Sequence, residues 1–580
     1  MASTQTSLNN HFFGGIRRKD SMFTEDKITC SDCQNVELYF TELNSGVGIR
    51  TSKGNVAVDL NISTTVNNEE QLSPLPEGEE IIGIFETVQN NVTYHIAYTE
   101  DSSSGHLYRM DMLNNKLYAM PSRRPLVVTG KAQGENFQFG TIYAFVFSNG
   151  ENLEYIYTNI DYTVPFVVAG AEPTGYATNK KMTLDTDSQG RIIGNDGSEV
   201  KGLGLVNLFK RLWVFNGTKL YYSTSPGIGV FRNGAGHETE VTRAGVWEAP
   251  KNITAIHEYL GSLAVFHNNS SCLITEDAET LFKASDESPG GCVSYDALVF
   301  HGTDLFFYDD TKKGVFSFQQ VINGDKTLGD NIAYDIQSEL MELDRSKLSD
   351  IRALSVITAD RNEIWFLVPI ESTYTVKEIN EQTQEEIDIT KPASIVLIYD
   401  YIRGEWVKRK CQHINCIGIL DYNLYSAGTK LYQEYTSDNY DGDFIENYYQ
   451  CTILNLGTDN TLKITKFPPR LTIDASYQNK FYVKYIKNYN ISKKPKIKLL
   501  TSKSSGNIMT YNSGDLWSGT DSHGVVHNYG KIFKPGAVSG IIKMPSATFK
   551  ALEITFYTTD KNQEFTIKSL EFSRLKVKQV

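Results

Sequence analysis

Short runs of β-branched and aromatic residues, joined again and again by Gly- or Asn-bearing turns, leave this 580-residue chain little room for anything but an all-β architecture. The clearest unit is Arg211-Leu-Trp-Val-Phe-Asn216-Gly217-Thr-Lys-Leu-Tyr-Tyr-Ser223, where Asn-Gly is expected to supply the two φ > 0 positions of a type I′ hairpin. Residues 92–120, 141–157, 259–275, 297–318, 394–408 and 415–435 repeat the pattern. Most of these units end in a turn and a strand of similar wording: Lys116-Leu117-Tyr118, Lys219-Leu220-Tyr221, Gly314-Val315-Phe316, Gly404-Glu405-Trp406 and Lys430-Leu431-Tyr432.

Several of the spacings fall near the ~40–50 residues of one propeller blade. A blade is a four-stranded sheet that cannot bury both faces alone, so blades stack radially and seal one another. The expected fold is therefore all-β: an N-terminal arm and opening strands over 1–80, and a β-propeller body of about six blades over 81–450. An insertion falls near 159–205, and a β-sandwich-like module occupies 451–580. A series of β-sandwiches is the competing architecture. Pro468-Pro469 reads as the boundary before the last module, since neither proline can donate to a central ladder. One stretch reads as helix: Ile332, Ile336, Leu340 and Leu343 share one face of residues 331–346, the pattern of a packed connector.

The formal charge of −13 argues against a general nucleic-acid binder, but it hides two opposite signs. Residues 1–450 carry a net −25 and residues 451–580 a net +12. In the basic part, Lys484, Lys487, Lys496, Lys498, Lys576 and Lys578 fall on polar strand faces. Such a face can be simply solvated, can dock on an acidic surface, or can touch DNA. Seven Cys and a start, MASTQTSLNN, without a basic or apolar leader predict reduced thiols and no secretory route. The longest apolar runs, such as Val164–Ala171, are far below the ~18 residues of a membrane-spanning helix.

Motifs for nucleophilic or phosphate chemistry do not occur: there is no G-x-S-x-G, no G-x-x-x-x-G-K-[ST] and no H-E-x-x-H. No catalytic residue and no cofactor are expected, and the chain reads as a non-enzyme; convergent carboxylates of a glycosidase would be the exception. Two patterns resemble metal sites weakly. Asp185-x-Asp187-x-Gln189-Gly190, with Asp196 at position 12, imitates the ligand spacing of an EF-hand loop. Gln at position 5, Asp in place of the bidentate Glu, and Gly197 where the exit helix should begin make it read as a polar hairpin loop. Cys30-x-x-Cys33 with Cys411, His413 and Cys416 could supply four soft ligands, but nothing local brings the pairs together.

The N-terminal His11-Phe-Phe-Gly-Gly-Ile-Arg-Arg-Lys-Asp20, followed by Asn35-Val-Glu-Leu-Tyr and Gly46-Val-Gly-Ile-Arg50, opens an ordered set of motifs. It continues through Gly261-Ser-Leu-Ala-Val-Phe266, Ser288-Pro-Gly-Gly-Cys292, Gly302-Thr-Asp-Leu-Phe-Phe307 and Lys313-Gly314-Val-Phe. It ends with Asp360-Arg361-Asn-Glu-Ile-Trp-Phe-Leu-Val-Pro369 and Ile398-Tyr-Asp-Tyr-x-x-Gly404-x-Trp406. This order, over roughly residues 10–440, resembles the head-to-tail propeller proteins of short-tailed bacteriophages: tail hub, tail nozzle and packaged-DNA stabilisation proteins. The Asn-, Ile-, Lys- and Tyr-rich composition would suit a crassvirus-like phage.

The resemblance implies a virion structural protein of the tail, made in the host cytoplasm and assembled with itself in a ring, a hexamer by that likeness. It would sit below the portal and its adaptor ring, beside other tail proteins, retain packaged DNA and conduct it at ejection. Double-stranded DNA would pass through the lumen without specific binding, and an acidic body suits that, because every phosphate neutralised adds affinity. The alternative is a carbohydrate- or receptor-binding, or glycan-cleaving, propeller at the tail tip.

Overall fold

The hairpin 211–223 forms, with its turn one residue later than the Asn-Gly pair suggests. Asn216 pairs with Lys219, so Gly217 and Thr218 are the central residues, and only Gly217 takes a positive φ, of 62°. The turn is therefore of the II′ kind, with glycine at its first central position. The computed structural model describes most of residues 28–451 and, beyond 451, the strands between 454 and 579; residues 1–4, 11–12, 17–27, 41–46, 160–166, 173–180, 235–241, 324–328, 380–385, 465–469 and several shorter stretches lie outside the described residues.

The chain divides into two units that are not linear in sequence: one holds 1–55, 405–410 and 435–580, the other 56–404 and 411–434. The N-terminal segment thus belongs with the C-terminal one rather than standing apart as an arm. The Pro468-Pro469 boundary lies outside the described residues.

The larger unit is a succession of antiparallel sheets, each an up-and-down run of consecutive strands. The first sheet holds Glu80–Gln89, Val92–Glu100, Gly105–Asp111 and Lys116–Met120, continued outward by Asn61–Val66 and Glu69–Pro74. The second runs Gln133–Phe139, Ile142–Ser148, Leu153–Asn159, Val167–Val168, and the third Leu203–Leu208, Arg211–Asn216, Lys219–Tyr222, Gly245–Glu248. Ala255–Tyr259 opens the fourth sheet, Leu298–His301 the fifth, Arg352–Ile357 the sixth and Ile414–Leu420 the seventh. The seventh sheet is edged by Gly54–Val58, of which 56–58 belong to this unit.

The opening strands lie side by side in order. Glu80–Gln89 touches Gln133–Phe139, which touches Leu203–Leu208, which touches Ala255–Tyr259. The last of these meets the short 3-10 turn Tyr295–Ala297 that leads into the fifth sheet. Leu298–His301 then touches Arg352–Ile357, that strand touches Ile414–Leu420, and Ile414–Leu420 lies against Glu80–Gln89.

Successive sheets pack face to face. Ile82, Ile96, Tyr98 and Leu107 of the first meet Phe145, Phe147 and Ile156 of the second. Phe137, Tyr155 and Tyr157 of the second meet Leu212, Val214 and Tyr221 of the third, with Ile192, Val200, Ile228 and Phe231 filling between. The segment 159–205 is therefore partly core and not merely a loop. Ile81, Ala97, Met110 and Leu117 of the first sheet meet Cys416, Leu420, Tyr425 and Leu431 of the seventh. Because both faces are covered, central strands such as Asp304–Asp309 are buried at every position instead of alternating.

The repeated "Lys-Leu-Tyr" and "Gly-Val-Phe" wording has a packing cause: Leu117, Leu220, Leu431 and Val315 are all core residues. The stretch 331–346 is not one helix. It is a 3-10 turn, Tyr334–Ile336, a short α-helix, Gln337–Met341, and a second 3-10 segment, Arg345–Asp350. The apolar face nevertheless packs as periodicity suggests, with Ile336, Leu340 and Leu343 buried.

The smaller unit pairs chain ends. Val36–Phe40 and Val47–Thr51 share a sheet with Glu564–Gln579, Arg470–Gln478 and Ala537–Lys543. Ile28–Gln34 pairs with Tyr448–Cys451 in a second sheet that continues through Ala551–Tyr557, Lys480–Lys487 and Lys496–Thr501. Rings from the two sheets meet where Phe481 packs 5.6 Å from Phe565. Arg409 is buried here between the rings of Tyr435 and Tyr440, 4.8 and 5.1 Å from their centroids, and donates to Ser52 Oγ at 2.8 Å and Lys53 O at 2.9 Å. Of the basic strand faces, Lys484 is half-buried and Lys496 exposed; the side chains of Lys487, Lys498, Lys576 and Lys578 lie outside the described residues.

Candidate functional site

A cleft of about 1340 Å³ opens in the larger unit where its opening strands begin. Glu80 and Ile82 come from the first sheet, Thr129 and Gly130 from the lead into the second, Arg352 from the sixth, and Ile414 and Asn415 from the seventh. Six carboxylates line it, from Glu80, Glu100, Asp101, Asp344, Asp350 and Glu371, against two cations, Lys347 and Arg352. Its field is therefore acidic.

Local hydrogen bonds explain why these carboxylates are there. Glu100 accepts from the Tyr98 hydroxyl at 2.7 Å and from the N–H groups of Thr129 and Gly130 at 2.9 and 2.8 Å. Asp101 caps its own turn, accepting from Ser103 Oγ at 2.7 Å and from the N–H groups of Ser103 and Ser104; these donors hold its carboxyl below the usual range. Glu80 accepts from Asn415 Nδ2 at 2.8 Å, and Asp344 caps the 3-10 segment through the Ser346 N–H at 2.9 Å. These groups are engaged as structural acceptors.

Arg352 is the cation around which this end of the unit is organised. From the sixth sheet it donates to Ile82 O of the first sheet and to Gly130 O, both at 2.9 Å, and its Nε stands 3.9 Å from Asp296 Oδ2. Burial pushes the Asp296 carboxyl up to about 6 in spite of Arg352. On the opening strand Gln133–Phe139, burial and then the nearby Glu258 charge raise Glu135 to about 7.

The three carboxylates of the EF-hand-like stretch do not converge on a common point: each is met by its own cation or turn. Asp185 pairs with Arg232, whose Nε donates at 2.7 Å; Asp187 accepts from Arg191 Nε at 2.7 Å and from two backbone N–H groups; Asp196 takes Lys219 Nζ at 2.6 Å. Bridges Thr186↔Ile192 and Ile193↔Glu199 make the stretch two small hairpins. Of the thiol pattern, Cys30 and Cys33 fall in the smaller unit and Cys411 and Cys416 in the larger, where Cys411 faces Ser394 O, Cys416 faces Ile81 O and His413 is exposed. Among the described residues, three groups of metal-ligating type converge at one place that no motif marks, Glu86, His95 and Asp421.

No family model matches the chain, and no curated protein matches it. One solved structure similar to it is described as a glycoside hydrolase: 11% of residues are identical, 85% of this chain and 97% of that one are covered, and the TM-score is 0.23. A likeness of that size carries no weight for fold or activity. No helix among the described residues is long and apolar enough to cross a membrane.

Proposed function

We propose that the chain is a non-enzymatic tail hub or nozzle subunit of a short-tailed bacteriophage, and that its larger unit is a β-propeller. The propeller reading is supported by consecutive up-and-down sheets whose opening strands touch in order, with the first and seventh sharing a core and an N-terminal strand edging the last. On this reading the body has seven blades, one more than the hairpin spacing suggests.

The observation that carries the functional reading is where the resemblance motifs fall. Gly261-Ser-Leu-Ala-Val-Phe266, Gly302-Thr-Asp-Leu-Phe-Phe307 and Asp360-Arg361-Asn-Glu-Ile-Trp365 each occupy the turn between the opening and second strands and the start of that second strand, in the fourth, fifth and sixth sheets. Motifs weak one by one thus share one repeated structural position, which supports reading them as a set.

Two further features suit a subunit that assembles in a ring around a DNA channel. The sixth sheet carries a long hairpin, Asn362–Ile379 with Glu386–Asp400, paired out to Ile379↔Glu386, whereas its flanking strand Arg352–Ile357 reaches only Asn362–Leu367. The outer half, with Glu371, Glu378, Glu386 and Asp388, is a reach available to a neighbouring copy. The acidic cleft and the net −25 of residues 1–450 repel phosphates. The test is composition: in purified particles, quantitative mass spectrometry is expected to find this chain at a fixed small-integer ratio to the portal. A purified chain that binds or cleaves host surface glycans, and is absent from that ratio, would favour the receptor-binding alternative.

A further inference from the structure

We propose that Glu86, His95 and Asp421 form a binding site for one divalent transition-metal cation, Zn²⁺ or Mn²⁺, that clasps the first sheet of the larger unit to its seventh. Glu86 and His95 are directly opposed on adjacent antiparallel strands, so both side chains stand on one face of the first sheet. Asp421 lies 335 residues along the chain from Glu86. It is the first central residue of a two-residue turn, Leu420↔Asn423, in the seventh sheet. Its own N–H donates to Glu86 Oε2 at 2.6 Å, which fixes the glutamate's orientation.

His95 Nε2 stands 3.4 Å from Glu86 Oε2 and 3.3 Å from Asp421 Oδ2, and the three ligand atoms lie within 4.8 Å of one another. Those separations exceed a good N–H···O hydrogen bond of about 2.9 Å. They match the ~3.3–3.4 Å between neighbouring ligands of a tetrahedral ion with bonds of about 2.0–2.1 Å.

The second observation is the imidazole itself. His95 is 7% exposed, and its Nε2 makes no hydrogen bond while aimed between the two carboxylates. An unsatisfied buried polar atom costs free energy. A cation accepting that lone pair removes the penalty and also neutralises two facing carboxylates. One nitrogen and two carboxylate oxygens suit Zn²⁺ or Mn²⁺; an imidazole does not suit Ca²⁺ or Mg²⁺, and the set has no thiolate. Asp421 is 57% exposed in its side chain, so water has access to the remaining coordination positions.

The full chain, stripped with a chelator and dialysed, is titrated with Mn²⁺ and the free ion read by electron paramagnetic resonance; thiolates compete poorly for Mn²⁺. The proposal expects one bound Mn²⁺ per chain, displaced by Zn²⁺, and at least a tenfold loss of affinity in His95→Gln and in Asp421→Asn. Because Asp421 is exposed and Asn tolerates its φ of 46°, the second variant keeps the fold. Zn²⁺ should also raise the melting temperature of the wild-type chain and leave Asp421→Asn unmoved. Absence of binding, or binding undiminished in Asp421→Asn, would overturn the proposal and leave the three side chains as a polar cluster that holds no ion.

Discussion

Replacing Arg352 by Met should destabilise the larger unit by an amount that depends on pH, because this side chain does two separable things. Its guanidinium donates to Ile82 O and Gly130 O, both at 2.9 Å. Hydrogen bonds from a charged donor are worth about 1.5–3 kcal/mol each, and removing both from one rigid group is less than additive, so roughly 3 kcal/mol is lost at any pH. The second role is electrostatic: at 3.9 Å from Asp296, Arg352 offsets part of the burial that holds that carboxyl at about 6.

A carboxyl whose folded pKa lies above its unfolded value of about 3.9 contributes stability that is complete below that value and is lost as pH climbs to about 6. Without Arg352 the folded pKa moves higher still, so further stability is lost between pH 6 and 8, about 1.4 kcal/mol for each unit of the move. Urea unfolding of wild type and Arg352→Met, followed by tryptophan fluorescence at pH 5.0 and 7.5, reads this directly. The deficit should be roughly 3 kcal/mol at pH 5.0 and larger by about 1–2 kcal/mol at pH 7.5. A deficit equal at the two pH values would refute the electrostatic role, and one below about 1 kcal/mol at both would refute the tie between sheets.

Turn chemistry gives an opposed pair of predictions. Gly217 has φ 62°, and nothing lies within 4 Å of where a Cβ would stand, so Gly217→Ala should cost about 1 kcal/mol through the backbone alone. The turn Phe209-Lys210 has both residues near φ 57° without glycine, so exposed Lys210→Gly should gain roughly 0.5–1 kcal/mol; thermal denaturation of both variants checks the signs. All seven thiols are free and buried, and burial pushes Cys292 and Cys416 up to about 12, so a disulfide reagent at pH 8 should modify fewer than one thiol per native chain within minutes and all seven in guanidinium.

What is legible in the sequence is local. The Leu of each "Lys-Leu-Tyr" strand is core, as an apolar residue on a strand just past a turn suggests from pattern alone. The turn at Asn216 slips by one residue because Gly217 satisfies a II′ turn as readily as the second place of a I′ turn, and cross-strand packing of Trp213 on Tyr222 chooses the register. The stretch 331–346 breaks into short pieces although its apolar face packs as the periodicity implies; Asp344, just past the last apolar position, caps a new 3-10 segment.

Non-local pairing is out of reach of such patterns. Nothing near Cys30 announces that it will sit opposite Cys451, and this is why the chain ends look like separate domains until paired. The Glu86–His95–Asp421 group escapes a sequence reading for the same reason: the first two are a cross-strand pair visible once the 80–100 hairpin is drawn, but the third arrives from the far end of the unit. Conversely, the EF-hand spacing of Asp185, Asp187 and Asp196 is visible in the sequence, while the cations that take those carboxylates, Arg232, Arg191 and Lys219, are placed partly by non-local folding.

An asymmetric cryo-EM reconstruction of the intact particle is the most direct test of the proposed role as a repeated wall of a phage tail channel. Density for this fold is expected in a symmetric ring beneath the portal, with the Glu371–Asp388 hairpin against the next copy and the lumen-facing side chains mainly acidic or neutral. Finding the chain as a peripheral fibre or tip protein, or finding a lumen lined mainly by Lys and Arg, would contradict it.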